Sequence, residues 1–245
     1  MAKPLKTAVK RITSWSISRF NDHDLCNALA GYKHVQKLKE PGNQAMQRGA
    51  DIHDVAHFYI KGKGRTMPPE LADFSKLFKD LRAVYDKNSK LQPIYVEENW
   101  GFARDWTPCA WDDWDNCWLR VKMDCARFES KNTLVLYDWK TGKQRPNKQE
   151  EYMRQLELYG LTALCMFPRA ELKVLPRLVY LDEGTTYDGP PGAPLVYTMA
   201  DVPRLKKQWE RRVAPMLADT TFKPRPGRQC QYCHFRRSNG GPCRF

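Results

Sequence analysis

Asp138 and Lys140 close the strand-like part of LVLYDWKTGK, residues 134–143, just ahead of its Thr-Gly turn. Side chains two apart on a strand share a face, so this carboxylate and ammonium project side by side. Such a pair is either a surface ion pair or half of an active site. Asp124, in VKMDCARF, lies on the preceding strand-like run. If the two strands are neighbours, two carboxylates and a lysine meet near one end. Close carboxylates repel unless a cation joins them, and carboxylates with water suit Mg²⁺ or Mn²⁺. Such an ion activates water and neutralises charge growing on a phosphate, while a nearby lysine helps hold the nucleophile or the phosphoryl oxygens.

Further candidates flank this trio. Gln155 and Tyr159, in QLELY, lie four apart and share a helix face. His53 and His57 have the spacing of a zinc pair. Asp54 follows His53 where a His-Glu-x-x-His metalloprotease needs glutamate, and no third ligand is apparent. Glu97, on the strand before Asp124, is a candidate for the edge of the site.

These residues need elements to hold them. Residues 43–64 read as a helix with a Gly-Lys-Gly stop, and 69–87 keep apolar residues at helical spacing. Strand-like runs follow at 93–103, 117–128 and 133–140. The acidic, aromatic segment RDWTPCAWDDWDN reads as an exposed loop. Its Trp106, Trp111 and Trp114 are candidates for stacking on bases, although its acids repel phosphate. Asn147 and Glu150 have capping-box spacing at the start of a helix that runs to about residue 167. Two more strands come at 171–184 and 194–199, the first with Pro176 inside it, which predicts an edge or a bulge. A basic helix starts at Asp201. Helices before, between and after the strands predict an α/β domain with a central sheet and helices on its faces.

The 245 residues carry 41 Lys+Arg against 28 Asp+Glu, a net charge of +13. That excess favours an anionic partner, nucleic acid first. Residues 1–20 hold Lys3, Lys6, Lys10, Arg11 and Arg19 with no acid, and residues 223–245 are again basic with no acid. No apolar stretch is long enough to span a membrane and the N-terminus lacks a secretory apolar run, so a soluble, cytoplasmic protein is expected.

Of eight cysteines, Cys165 sits in an apolar run and reads as core. Cys230, Cys233 and Cys243 cluster at the end of the chain, three thiols of an incomplete metal site whose fourth ligand is His234 or a residue from elsewhere. Thiolate sites for zinc and for iron–sulfur share this signature.

RGADIH, VKMDCARF, LYDWKTGK and QLELY occur in that order. Together they resemble the successive motifs of RecB-like nucleases in the PD-(D/E)XK superfamily, nearest the phage and CRISPR-associated exonucleases, over residues 16–243. The resemblance implies a restriction-endonuclease-like α/β fold, a mixed sheet flanked by helices, with the Cys-rich tail folded back on the N-terminal segment. It implies a nuclease domain over 1–222 and a metal-binding tail over 223–245. His53, Asp124 and Asp138 would bind Mg²⁺ or Mn²⁺, with the Trp139 carbonyl as a further ligand. Lys140 would be the catalytic lysine, and Gln155 and Tyr159 would complete the site and contact DNA. Cys26, Cys230, Cys233 and Cys243 would hold a [4Fe–4S] cluster, with structural Zn²⁺ as the alternative.

The expected activity is that of a metal-dependent deoxyribonuclease, an exonuclease on single-stranded DNA or DNA ends in recombination or processing. The alternative is a non-catalytic nucleic-acid-binding protein organised by a cysteine-bound metal. No Gly-x-x-x-x-Gly-Lys-Ser/Thr loop is present, so ATP-driven unwinding would need a helicase partner.

Overall fold

The computed structural model describes residues 11–87 and 93–245; Lys3, Lys6 and Lys10 of the basic N-terminus lie outside them. Contacts divide the chain into two units, Gly42–Lys207 and Met1–Pro41 with Gln208–Phe245.

The larger unit opens with helices α3 (Gln44–Ile60) and α4 (Ser75–Lys87). Asn43 caps α3, its side chain accepting from the Met46 N–H at 2.8 Å. The predicted stop is a Schellman closure: Gly62, at φ +73°, donates to the Tyr59 carbonyl, and Lys63 donates to that of Phe58. Strands β1 (Ile94–Phe102), β2 (Pro108–Cys109), β3 (Leu119–Ser130), β4 (Thr133–Lys140), β5 (Lys173–Tyr180) and β6 (Thr185–Tyr187) form a sheet in the order β2-β1-β3-β4-β5-β6, with β7 (Tyr197–Thr198) also on β5. All pairings are antiparallel except β4 with β5. A parallel pair needs a crossover, and α5 (Gln149–Met166) supplies it.

Period two divides the strand residues between two layers. Val135, Tyr137 and Trp139 of β4, with Val179, pack against Ile52, Ala56 and Ile60 of α3 and Phe78 and Leu81 of α4. Leu178 and Tyr180, on the alternate positions of β5, pack against Tyr152 and Leu156 of α5. The predicted mixed sheet flanked by helices is therefore present. Pro176 sits where it does least harm, facing Leu136 on one side and lying between the stretches that pair with β7 and β6 on the other.

Two local expectations fail. The Asn147–Glu150 capping box does not form, because Pro146 opens a 3₁₀ turn over Pro146–Lys148 and α5 starts at Gln149 with no side-chain cap. Residues 104–116 are not a wholly exposed loop: Pro108–Cys109 pair with β1 and Trp106 is buried, leaving Trp114 as the exposed tryptophan of the three. Ring contact between Trp106 and Trp118, at 5.3 Å, removes apolar surface that an extended loop would leave wet.

Gly160 of α5 lies against Tyr197, and a Cβ there would overlap the ring. Gly160→Ala is expected to destabilise by about 1–2 kcal/mol, because overpacking outweighs the better helix propensity of alanine. A thermal melt lowered by several degrees checks this; an unchanged melt would mean that β7 yields freely.

In the smaller unit α1 (Ile17–Leu25) and α2 (Asn27–Ala30) meet the chain's C-terminal part. Trp15 stacks on Trp209 at 5.5 Å, with Phe20 edge-on. Asp219 accepts from Asn27 and from the Thr221 and Phe222 N–H groups, and meets His23 at 3.1 Å. Burial alone would raise the Asp219 carboxyl, but these bonds outweigh it and hold the group well below the usual range. The tail folds back as expected: Arg225 bonds the Asp24 carbonyl through its guanidinium and the Cys26 sulfur through its backbone N–H. Among the described residues no helix is long and apolar enough to cross a membrane.

Candidate active site

The ladder between β3 and β4 reaches Cys125–Tyr137 and carries no pair beyond it toward Asp124 and Asp138. There the Trp139 N–H donates instead to Asp124 Oδ2 at 2.8 Å. A side-chain carboxylate takes the place of a strand neighbour, and the sheet opens where the chemistry-bearing residues lie. Asp124 Oδ1 lies 3.3 Å from His53 Nδ1, so α3 brings its histidine to β3.

Glu97 completes this group. The β1–β3 pairs Val96–Cys125 and Glu98–Met123 bracket it, and its own φ is +57°. An L-residue in this region is costly and uncommon, and such strain gathers at functional sites. One ligand atom each from His53, Glu97 and Asp124 lie within 4.8 Å of one another. The donor set, two carboxylates and an imidazole, fits a divalent cation such as Mn²⁺ or Mg²⁺. In the sequence Glu97 reads only as a residue at the edge of the site, because its backbone conformation carries no signal in residue type.

Asp138 stands beside this group. Its Oδ2 is 2.5 Å from Lys140 Nζ. Its Oδ1 accepts from the Tyr159 hydroxyl at 2.8 Å and from Gln155 Nε2 at 3.2 Å. Gln155 also donates to the Tyr159 oxygen at 2.9 Å. Position four on α5 and position two on β4 thus converge on one carboxylate. Trp139 buries its ring against Phe78 and Tyr137, so only its backbone is available to the site. His57 is half-buried against Phe58 and takes no place in the group of three.

The charges are crowded. Burial, then the Asp124 charge, push Asp138 up against the opposing pull of Lys140. Burial and Asp124 likewise raise Glu97. Burial would lower Lys140 and His53, but the carboxylates around each outweigh it and keep both raised. Burial also raises the Tyr159 phenol, which stays protonated and donates. Three carboxylates held together against their own repulsion are what a divalent cation relieves.

The braces are testable. Tyr159→Phe removes one donor from Asp138 and is expected to weaken divalent-metal affinity about tenfold or more, the usual effect of losing an outer hydrogen bond to a metal site. Calorimetric Mn²⁺ titration measures it; unchanged affinity would make Tyr159 a packing residue.

Among solved structures, a protein of Eubacterium rectale designated an exonuclease is similar over 93% of this chain and 88% of its own, with 10% identity and a TM-score of 0.50. An alkaline exonuclease of Laribacter hongkongensis is similar over 86% of this chain and 91% of its own, with 13% identity and a TM-score of 0.38. No curated protein matches the chain in sequence. A sequence profile of the PD-(D/E)XK nucleases matches residues 14–238, a span that takes in His53, Glu97, Asp124, Asp138, Lys140, Gln155 and Tyr159. The chain belongs to the PD-(D/E)XK nuclease superfamily.

Proposed function

We propose that this protein is a divalent-metal-dependent DNA exonuclease of the RecB-like type, acting on single strands or free ends in recombination or DNA processing in the cytoplasm. The observation that carries the reading is the His53–Glu97–Asp124 group standing against the Asp138–Lys140 pair. Mg²⁺ or Mn²⁺ held there would supply an activated water and neutralise charge on the phosphate. Asp138 and the Trp139 carbonyl are the further ligands we assign to it. Lys140, kept an ammonium by its carboxylates, binds a phosphoryl oxygen or orients the attacking water. Tyr159 and Gln155 hold Asp138 in place for both tasks.

End-labelled single-stranded DNA incubated with Mn²⁺, Mg²⁺ or EDTA tests this. Shortening that needs metal and disappears in Lys140→Ala is the expected result. Bound but intact DNA with either metal would leave a nucleic-acid-binding protein and end the nuclease reading.

We assign a [4Fe–4S] cluster to Cys26, Cys230, Cys233 and Cys243, which line one cavity of about 280 Å³ in the smaller unit. Backbone N–H groups of Arg225 and Gly227 point at the Cys26 and Cys230 sulfurs at 3.4 Å, as thiolates favour. Structural Zn²⁺ on the same thiolates is the alternative. Anaerobic purification should yield a brown protein with a visible band bleached by dithionite; a colourless protein holding one zinc would reverse the assignment.

A further inference from the structure

The segment after Lys140 is held by its backbone and leaves its cations outward. The Gly142 N–H donates to Asp182 Oδ2 at 2.7 Å, the Gln144 N–H to Glu183 Oε2 at 2.7 Å, and the Arg145 N–H to the Tyr152 hydroxyl at 3.0 Å. Asp182 is doubly engaged, since Arg48 of α3 grips it with two bonds of 2.6 and 2.7 Å. Asp182 and Glu183, the two acids that bond the loop, are thus engaged by its backbone and, for Asp182, by Arg48 as well. Lys143 and Arg145 are exposed, and among the described residues neither side chain meets an acid. They follow Lys140 by three and five residues, within roughly 10–18 Å even if the chain were fully extended.

Two cations on a loop ordered by three backbone bonds, three and five residues after a lysine that faces carboxylates, have little freedom left to lose on binding an anion. A flexible loop with the same residues would lose more freedom on contact. We propose that Lys143 and Arg145 bind backbone phosphates of the DNA strand next to the bond being cut, and that the Gly142–Arg145 segment is the built cradle for them. The inference rests on the nuclease reading for its substrate. The ion pair of Arg48 with Asp182 serves the same cradle, joining the helix that carries His53 to the loop that follows Lys140.

Phosphate contacts reveal themselves through salt. For single strands log K falls with log[salt] at a slope of about −0.7 per neutralised phosphate. Binding of a labelled single-stranded oligonucleotide to the full chain is measured by anisotropy in EDTA, over a series of salt concentrations. The double variant Lys143→Ala/Arg145→Ala is expected to make the slope shallower by about 1.4. Lys79→Ala, an exposed lysine on α4, is the control for bulk charge and is expected to leave it unchanged. Oligonucleotides with 5′-phosphate and 5′-hydroxyl ends separate a terminal from an internal phosphate: a loss on both assigns internal phosphates, and a loss confined to the first assigns the terminal one.

With metal restored, the double variant is expected to raise KM while kcat at saturating DNA stays within about twofold, the mark of binding shared by ground and transition states. An unchanged salt slope, or a slope that Lys79→Ala lowers equally, overturns the proposal. Because binding is read without metal, a wild type that fails to cut while the slope still depends on Lys143 and Arg145 would sink the nuclease reading and spare the cradle.

Discussion

Asp138→Asn is expected to lower the DNA-cleavage rate on the order of 10³-fold while moving the melting temperature by no more than a few degrees. The side chain keeps its shape and an oxygen to accept from Tyr159 and Gln155. It loses the charge that pairs with Lys140 at 2.5 Å and that would help hold a divalent cation. Removing one preorganised electrostatic contact from a reacting centre typically costs about 10²–10³ in rate, and here metal binding and the lysine's orientation fail together. Stability is spared because two terms oppose. Attraction to Lys140 is lost, but burial and the Asp124 charge already disfavour the carboxylate and push its pKa up. Losing half of a partly buried pair and relieving a crowded charge offset one another. Single-turnover cleavage and a thermal melt on one preparation check this. A variant that cuts within tenfold of wild type would remove Asp138 from the machinery.

Glu97→Gly is expected to reverse the order of stability between metal-free and metal-bound protein. In EDTA the variant should melt higher, because glycine accepts φ +57° without the strain of a side chain and the repulsion with Asp124 disappears. The gain is about 0.5–1 kcal/mol after the extra freedom of glycine in the unfolded chain, or about 1–4 °C. With Mn²⁺ the wild type should overtake it, since binding to the folded state stabilises more the tighter it is, and the variant has lost the Glu97 carboxylate from the group that would hold the ion. Cleavage should fall with the lost affinity and recover partly at high Mn²⁺. Equal Mn²⁺ shifts in both proteins would mean that Glu97 is strained for some reason other than metal binding.

Much of the site was legible because its signals are periodic. Asp138 and Lys140 share a strand face at two residues, Gln155 and Tyr159 share a helix face at four, and those spacings act before any tertiary contact forms. The sheet and its flanking helices followed from the same patterns, and Pro176 marked where the outer side of β5 lacks a partner. What failed was local competition. Pro146 moved the start of α5 beyond Asn147, and Trp106 found a partner in Trp118, twelve residues on. Neither outcome is written in the type of the residue itself.

Residue types and backbone periodicity are enough to say which groups are available and which pairs share a face. Which carboxylates gather depends on how the helices pack on the sheet. His53 reaches Asp124 because α3 packs on the sheet through Ile52, Ala56 and Ile60. Glu97 joins them because the β1–β3 register sets it opposite Asp124 in a strained conformation. The loop after Lys140 is ordered by Asp182, Glu183 and Tyr152, the acids some forty residues away in the chain. Distances between residues far apart in sequence depend on packing across the sheet, and packing is a property of the whole core.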